Sequence, residues 1–505
     1  MLAALREPRT YPRGAGRVEL IETHISRVFL AGDHAYKVKK PVALSFLDFS
    51  TLAARRRYCE EELRLNRRTA PDLYLGVVPI VETPGGVRVG GKGEALEYAL
   101  EMRRFPQDAL ADAMARRGEL RAGHVDALAA AIAAFHAKVP PASDSDYGSP
   151  GRIAASALAS FDQAGGLAAA DLRDWTRREG ERLRGTFAAR RREGFVRECH
   201  GDLHLGNIVF LEGGPVPFDC IEFDPALRWI DVMNEVAFLA MDLLEHGLAA
   251  LAWRFLSAYL EATGDYAGVR VLRYYLVYRA MVRALVASIR ERQPGSAATQ
   301  GRAHRELGAY LALARSLSGP EAPALVLMHG LSGSGKTTVS QKILEELGAV
   351  RVRSDVERKR LHGLAAGART NADPGGGIYS PEATRLTYER LAQAARGIVE
   401  SGYKAIVDAT FLGRAEREVF RALAREAAVP FLIVSCEAPD DVLRSRVARR
   451  QAAESDASEA GAAVLERQLA SREPLGEDEL ARCVRVESDR GGAPVGEIAA
   501  RLGKP

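Results

Sequence analysis

The hydrophobic and polar positions of the first hundred residues follow the pattern of half-buried β-strands. The runs VELIETHISRVFLAG and AYKVKKPVAL meet at Gly32-Asp33, a dipeptide typical of hairpin turns. A stretch with helical periodicity runs from about Ser50 to Arg68, and YLGVVPIVE and LEYALEMRRF then return to the strand pattern. The pattern predicts a small β-rich lobe with one long helix over residues 1–105.

Between residues 106 and 315 the apolar positions mostly repeat with helical spacing. Residues 108–138 and 152–192 are rich in Ala, Leu and Arg, and the loop VPPASDSDYGSP separates them. Residues 227–317 are again helical in pattern. Residues 106–315 therefore form a second, larger lobe, and the two lobes together predict an α+β domain over residues 1–315.

A different pattern begins after the segment SLSGPEAP at 316–323, which we interpret as a linker. Apolar strands alternate with helices over residues 324–505. The predicted strands are 324–329, about 349–353, 404–408 and 430–435, and the predicted helices include 336–347 and 440–452. This alternation predicts an α/β domain with a parallel doubly wound sheet.

Composition narrows the class of protein. The chain has 505 residues, of which 47% are hydrophobic and 27% charged, and this balance is typical of folded globular proteins. No run of 18 apolar residues and no signal-peptide pattern is present, so we expect a cytoplasmic protein without a membrane partner. The five cysteines lie far apart without a CxxC pair, which indicates neither a disulfide framework nor a zinc site. A net charge of +4 does not require a nucleic-acid partner.

The sequence GLSGSGKT between the first predicted strand and helix of the second domain fits the P-loop pattern GxxxxGK[ST] in full. Glycines allow backbone N–H groups to surround phosphate oxygens, Lys336 supplies a charge to the β- and γ-phosphates, and the Thr337 hydroxyl is a Mg²⁺ ligand. The predicted nucleotide-binding residues are Gly330, Ser332, Gly333, Ser334, Gly335, Lys336, Thr337 and Thr338. The pattern predicts a site for ATP and Mg²⁺, with Lys336 also acting in catalysis.

Other charged residues follow the predicted strands of this domain. Asp355 and Arg358 come after the second strand, Asp408 ends the third, and Arg446 and Arg450 share a helix face at i,i+4. Residues 323–490 resemble the polynucleotide-kinase and gluconate-kinase-like group of P-loop kinases. The resemblance implies that Asp355 is the base for the acceptor hydroxyl, that Arg358 holds substrate, and that the two later arginines stabilise transferred charge. Asp408 is either a metal-side carboxylate or a strand-end cap.

The first domain carries HGDLHLGN, which fits HxDxxxxN, followed by an aspartate in PVPFDCIEFD. Phosphoryl transfer requires a carboxylate on the acceptor side and two Mg²⁺ ligands on adjacent loops. Asp202 is the candidate base, and Asn207 and Asp219 are the candidate metal ligands. His200 is interpreted as a scaffold residue.

HGDLHLGN resembles the aminoglycoside phosphotransferase and choline kinase family, and the resemblance covers about residues 20–300. It implies a bilobal protein-kinase-like fold. The family places a lysine on the third strand, for which Lys37 is the choice and Lys39 the alternative, and pairs it with a helical glutamate, here Glu62. Met102 is either an adenine contact or a core residue. A GxGxxG loop is absent from the sequence, so phosphate cover would come from backbone in the ETHISRV region.

Three functions fit these observations. The first is a bifunctional ATP- and Mg²⁺-dependent kinase that phosphorylates hydroxyl groups of small molecules at two sites. The second is a nucleotide-binding regulatory lobe that controls a single P-loop kinase, and the absent glycine loop motivates it. The third is a polynucleotide 5′-hydroxyl kinase. The sequence disfavours it, because it contains no strip of basic residues interleaved with aromatic ones, as single-strand binders have. Arginine-rich helices before the HGD loop also argue against inferring a polycationic antibiotic as substrate.

Overall fold

The structure, a computed structural model, divides into two units. The first comprises Met1–Ser156 and Phe187–Asp242, and the second comprises Ala157–Thr186 and Leu243–Pro505. The structure describes residues 1–12, 16–44, 47–142, 145–163, 169–293, 296–368, 370, 376–453, 461–489 and 492–503.

The first unit opens with an antiparallel sheet and one long helix, as the sequence predicts. Its elements are β1 (Val18–Glu22), β2 (Ser26–Ala31), β3 (His34–Lys39), β4 (Ala43–Leu44), β5 (Leu47–Asp48), α1 (Leu52–Asn66), β6 (Tyr74–Thr83), β7 (Gly86–Val89) and β8 (Ala95–Arg103). The main sheet has the strand order β1-β2-β3-β8-β6-β7. The Thr51 hydroxyl starts α1 by accepting a hydrogen bond from Ala54 N at 3.1 Å. Helix α1 lies against β8 and β6, and its Glu62 binds both lysines of β3.

Helices and short strands fill residues 106–317. They are α2 (Ala111–Arg116), α3 (Ala122–Lys138), α4 (Pro150–Gln163), α5 (Ala170–Arg182), α6 (Arg184–Arg192), β9 (Val196–Glu198), β10 (Ile208–Leu211), β11 (Gly214–Pro217), α7 (Pro225–Arg228), β12 (Trp229–Asp231), α8 (Val232–Glu245), α9 (Ala249–Thr263), α10 (Val269–Arg292) and α11 (Ala297–Leu317). The antiparallel pairs β10–β11 and β9–β12 border the HGD loop. Asp231 accepts two hydrogen bonds from Arg190, at 2.7 and 2.8 Å, and one from Met233 N at 2.9 Å. It therefore joins α6 to the start of α8.

The rest of the second unit is an α/β fold. Its elements are β13 (Ala324–His329), α12 (Lys336–Leu347), β14 (Ala349–Arg353), α13 (Ser354–Leu361), α14 (Pro381–Glu400), β15 (Lys404–Asp408), α15 (Arg414–Glu426), β16 (Phe431–Glu437), α16 (Asp440–Ala453), α17 (Ala462–Ser471), α18 (Glu477–Leu480), β17 (Cys483–Glu487) and α19 (Val495–Leu502). The parallel sheet has the order β14-β15-β13-β16-β17. The predicted doubly wound architecture is confirmed, and β17 is an additional strand that the sequence did not predict.

Apolar side chains on one face of this sheet pack against α12 and α19. The core includes Val326 and Met328 of β13, Val434 of β16, Ile343 of α12 and Ile498 of α19. The strands are parallel, so their carboxyl ends meet at one edge, where the P-loop, Asp355 and Asp408 follow. Helix α11 ends at Leu317 and β13 begins at Ala324, so most of the predicted linker 316–323 lies between two elements. Its role as a domain boundary stays a prediction.

Candidate functional sites

The candidate base of the first unit lies in the loop between β9 and β10. Asp202 is partly exposed, and Asn207 donates from Nδ2 to the Asp202 main-chain oxygen at 2.9 Å and to its Oδ2 at 3.0 Å. Gly201 has φ +89°, and a Cβ at this position would lie 2.8 Å from the Leu227 oxygen, so the turn before Asp202 requires glycine. The structure thus brings the predicted base and one predicted metal ligand together.

A buried glutamate that the sequence analysis missed holds this loop. Glu235 of α8 accepts hydrogen bonds from His200 N at 3.0 Å and from Gly201 N at 2.7 Å, and its Oε1 lies 3.1 Å from His136 Nε2. Burial alone would raise the pKa of Glu235, but the hydrogen bond and charge of His136 outweigh it and lower the pKa to about 2. Glu235 therefore accepts these hydrogen bonds as a carboxylate.

The interpretation of His200 as scaffold agrees with its contacts. Its side chain is buried, Nδ1 accepts from Asp202 N at 3.3 Å, and Nε2 lies 2.8 Å from the Phe218 oxygen. A carbonyl oxygen can only accept, so Nε2 is the donor to Phe218. His200 thereby connects the Asp202 loop to the strand that precedes Asp219.

Both candidate lysines of β3 contact Glu62 of α1. Lys37 Nζ donates to Glu62 Oε1 at 2.7 Å and to Asp219 Oδ1 at 2.5 Å. Lys39 Nζ donates to Glu62 Oε2 at 2.7 Å and also binds Glu222. Burial opposes ionisation of Glu62, but the two lysines outweigh it and lower its pKa to about 2. Lys37 is the lysine of the pair that contacts the predicted metal ligand.

Asp219 is held in an unusual backbone conformation. Its φ is +65°, in the left-handed region that residues other than glycine rarely adopt. Its backbone N–H donates to the Tyr74 hydroxyl at 3.0 Å, and the next N–H, of Cys220, donates to Asn66 Oδ1 at 2.9 Å. Strained conformations of this kind are maintained only where the surroundings fix them, and they concentrate at functional sites.

Two further features were predicted for the first site, an adenine contact at Met102 and phosphate cover by the ETHISRV region. Met102 is 6% exposed and packs in a core cluster with Leu30, Leu100 and Val209, so its side chain is part of the core. The turn between β1 and β2, in the ETHISRV region, is closed by Thr23, whose hydroxyl accepts from Ser26 N at 3.0 Å.

The P-loop of the second unit has the backbone that its glycines predict. Gly330 has φ +138°, and a Cβ there would lie 2.4 Å from the Cys436 oxygen. Gly335 adopts φ +82° at the start of α12. Lys336 Nζ donates to the Gly330 and Leu331 oxygens at 2.9 and 2.8 Å, and burial lowers the pKa of Lys336. The Ser334 hydroxyl is buried without a hydrogen-bond partner among the described residues, as expected of a group that binds a ligand.

The predicted carboxylates are near enough to the P-loop lysine to act on its charge. Asp408 is buried and accepts from the Ser340 hydroxyl at 3.2 Å. Asp355, in the first turn of α13, is partly exposed. Both carboxylates act electrostatically on Lys336, and so does Arg450. The second unit therefore brings a cation, two carboxylates and the Thr337 turn to one edge of the sheet.

Two of the predicted arginines contact protein atoms instead of an open site. Arg358 is buried and donates to the Ile378 oxygen at 2.9 Å and to the Thr384 hydroxyl at 3.1 Å. Arg446 donates to the Ser488 hydroxyl at 2.8 Å and to the Gly333 oxygen at 3.3 Å. Arg446 thus connects the P-loop to the segment after β17. Their roles in substrate or charge binding stay predictions.

A cavity of about 430 Å³ with a mixed polar and apolar lining adjoins the P-loop and was not predicted. Its lining includes His329, Ser435, Glu437 and Arg485. His329 Nδ1 lies 2.9 Å from the Ser435 hydroxyl, which donates to Glu437 Oε1 at 3.2 Å. Burial, with the charges of Arg417 and Lys336, lowers the pKa of His329 to about 4, so its ring is neutral at pH 7.

These two sites and folds define a class of protein: a chain with two kinase-type domains. Comparison with protein families agrees. The phosphotransferase enzyme family matches residues 46–272, and an AAA domain family of P-loop proteins matches residues 325–475. The protein is accordingly a phosphotransferase enzyme of the kinase type. Among the described residues no helix is both long and apolar enough to cross a membrane.

The chain belongs to the family of two uncharacterized mycobacterial proteins, one from Mycobacterium tuberculosis (strain ATCC 25618 / H37Rv) and one from Mycobacterium bovis (strain ATCC BAA-935 / AF2122/97). Each is 32% identical over 462 residues, which cover 89% of this chain and 89% of the relative. An alignment of this length is longer than either predicted domain, so the match includes residues of both domains of this chain.

Solved structures of small-molecule kinases are similar to separate parts of the chain. A choline/ethanolamine kinase family protein from Mesorhizobium loti is 14% identical, with 62% of this chain and 98% of that one covered, at a TM-score of 0.38. A gluconokinase from Sinorhizobium meliloti is 22% identical, with 36% and 90% covered, at a TM-score of 0.25.

Proposed function

We propose that the chain is a bifunctional phosphotransferase that transfers the γ-phosphoryl group of ATP to hydroxyl groups of small molecules at two separate sites. One observation carries the proposal: each kinase-type domain has its own partly buried lysine, its own partly exposed aspartate for an acceptor hydroxyl, and its own candidate oxygen ligands for a metal ion. A domain that only bound nucleotide would not require the acceptor-side aspartate.

At the first site Asp202 takes the proton of the acceptor hydroxyl. Its carboxylate is oriented by Asn207, whose amide uses its nitrogen for this contact and leaves the Oδ1 atom for a metal ion. Asp219 supplies a second oxygen ligand, and Lys37 binds phosphate oxygens while Glu62 holds its ammonium group. Mg²⁺ prefers such oxygen ligands, and when bound it neutralises the developing phosphate charge.

At the second site the P-loop N–H groups and Lys336 bind the phosphates, and Thr337 and Asp408 lie on the metal side. Asp355 is the base for the second acceptor. An aspartate held near the phosphates in this way typically contributes about 10²–10⁴ to the rate. The mixed cationic and anionic lining of the neighbouring cavity suits a small polar acceptor in preference to a polyanionic strand.

The test is transfer of γ-labelled phosphate from ATP into a fractionated pool of metabolites. Asp202→Asn and Lys336→Ala are compared with wild type, and Asp174→Asn, which changes an exposed carboxylate, serves as control. We expect two labelled products, one lost in each variant. A single product lost only with Lys336→Ala would contradict bifunctionality and favour a regulatory first domain. Label entering only a 5′-hydroxyl oligonucleotide would favour the polynucleotide alternative.

A further inference from the structure

Helix α9 lies within the range matched by the phosphotransferase family, yet its polar face contacts the P-loop fold. Trp253, Ser257 and Glu261 are four residues apart and therefore share one face of the helix. Trp253 packs so closely on Gly348, after α12, that a Cβ there would lie 2.8 Å from its Nε1. The Ser257 hydroxyl accepts from Arg351 N at 3.4 Å. This face follows α12 and β14 toward the carboxyl end of the strand.

Glu261, at the end of this face, pairs with two arginines of β14. Its Oε1 accepts from Arg353 Nη1 at 3.0 Å, and its Oε2 lies 3.5 Å from Arg351 Nη2. Alternate residues of a strand point to the same side, so both arginines face the helix. Arg353 is two residues before Asp355, the proposed second base. A carboxylate from α9 thus fixes the strand end from which that base extends.

Arg351 extends the connection to the metal side of the P-loop. Its side chain is buried, and its Nη1 donates to the Thr337 oxygen at 3.2 Å and to the Ser340 hydroxyl at 3.1 Å. The same hydroxyl is the one that donates to Asp408. A continuous network therefore runs from Glu261 through Arg351 to the turn of Thr337 and to Asp408.

Main-chain oxygens at the carboxyl end of α9 also accept hydrogen bonds from arginines of α13 and α14. Arg360 of α13 binds the Glu261 oxygen and donates to the Ala262 oxygen at 3.3 Å. Arg390 of α14 donates to the Gly264 oxygen at 3.2 Å and to the buried Glu357 at 3.1 Å. Helix α13, which begins at Ser354-Asp355, is thus fixed at both of its ends relative to α9.

We infer that Glu261 is a positioning residue for the P-loop site, acting through Arg351 on the metal side and through Arg353 on Asp355. The inference rests on the proposed function of that site. Its physical basis is charge: a buried arginine whose carboxylate partner is removed keeps an uncompensated positive charge beside the residues that would bind Mg²⁺. The loss of Glu261 therefore weakens binding of the divalent ion, and a purely structural role would not have that effect.

The experiment measures Mg²⁺-dependent binding of the analogue AMP-PNP to the full chain by calorimetry, and Lys336→Ala identifies the component due to the P-loop. Glu261→Gln is expected to raise the Mg²⁺ concentration for half-saturation of that component five- to tenfold. Glu261→Asp, which keeps the charge, should recover about half of this change on a logarithmic scale. The control is Glu345→Gln, which breaks the 2.7 Å pair between Arg254 of α9 and Glu345 in the last turn of α12, at the opposite end of that helix from the P-loop.

A shift below twofold for Glu261→Gln, or equal shifts for Glu261→Gln and Glu345→Gln, would overturn the inference. If Glu261→Gln does not fold, Glu261→Asp alone decides, with a roughly two- to threefold shift expected and no shift contradicting it. If Lys336→Ala removes no AMP-PNP binding, the P-loop site itself fails, and the inference fails with it. The two failures are therefore distinguishable.

Discussion

Lys37 and Lys39 of β3 are two residues apart, but their surroundings predict a functional role for Lys37 and a structural role for Lys39. Lys37 contacts Asp219, whose carboxylate is partly exposed, whereas Lys39 is 1% exposed and lies between the buried Glu62 and Glu222. Lys37→Ala should lower Asp202-dependent transfer by on the order of a hundredfold, because a charge aimed at phosphate is lost. Lys39→Ala should instead destabilise the first unit by about 3–5 kcal/mol, because it leaves buried carboxylates unpaired.

Transfer assays and urea unfolding separate these outcomes. Lys40→Ala is the matched control, since Lys40 follows on the same segment and pairs with the exposed Glu22. An equal loss of activity in Lys37→Ala and Lys39→Ala, without loss of stability in either, would contradict the assignment.

Helix α8 holds the loop of the proposed base Asp202, since its first turn presents Glu235 to the consecutive backbone N–H groups of His200 and Gly201. Glu235→Gln replaces one accepting oxygen with a donor, which opposes a backbone N–H or the His136 ring. We expect kcat of the Asp202-dependent reaction to fall about ten- to a hundredfold, since small displacements of a catalytic group have effects of this size. KM for ATP should change less than twofold, because the nucleotide-side residues are untouched.

Steady-state kinetics with Glu245→Gln, in the last turn of the same helix, provides the comparison. An unchanged kcat in Glu235→Gln, or a loss of equal size in both variants, would show that α8 does not set the position of Asp202.

Elements with strong local signals could be predicted from the sequence, and those that depend on distant partners could not. The strand β13 and the helix α12 are fixed by an apolar run, a glycine loop and a helical repeat, and both have the predicted bounds. Strand β17 alternates Val with Arg and Glu over only five residues, and it becomes a strand by pairing with β16. Short segments of this kind carry little information on their own.

The same distinction holds for the sites. Asp202, Asn207 and the P-loop lie in contiguous motifs, so the sequence names them. Glu222 meets Lys39 across 183 residues, and Glu261 meets Arg353 across 92. Only the fold brings such partners together. One signal for Glu222 was available in the sequence. Lys37 and Lys39 share one strand face, and the segment DCIE contains two carboxylates that could pair with them.

The molecule as a whole should bind two nucleotides, because each kinase-type domain has its own lysine that we propose binds phosphate. Calorimetry with AMP-PNP and Mg²⁺ should give about two sites per wild-type chain. Lys336→Ala and Lys37→Ala should each leave one site, and the double variant none. The wild type could instead bind one AMP-PNP per chain, with that site lost in Lys336→Ala and unaffected in Lys37→Ala. This result would mean that the first domain has the geometry of a kinase but does not bind nucleotide. That result would make the first domain of this chain a partner of the second instead of an independent enzyme.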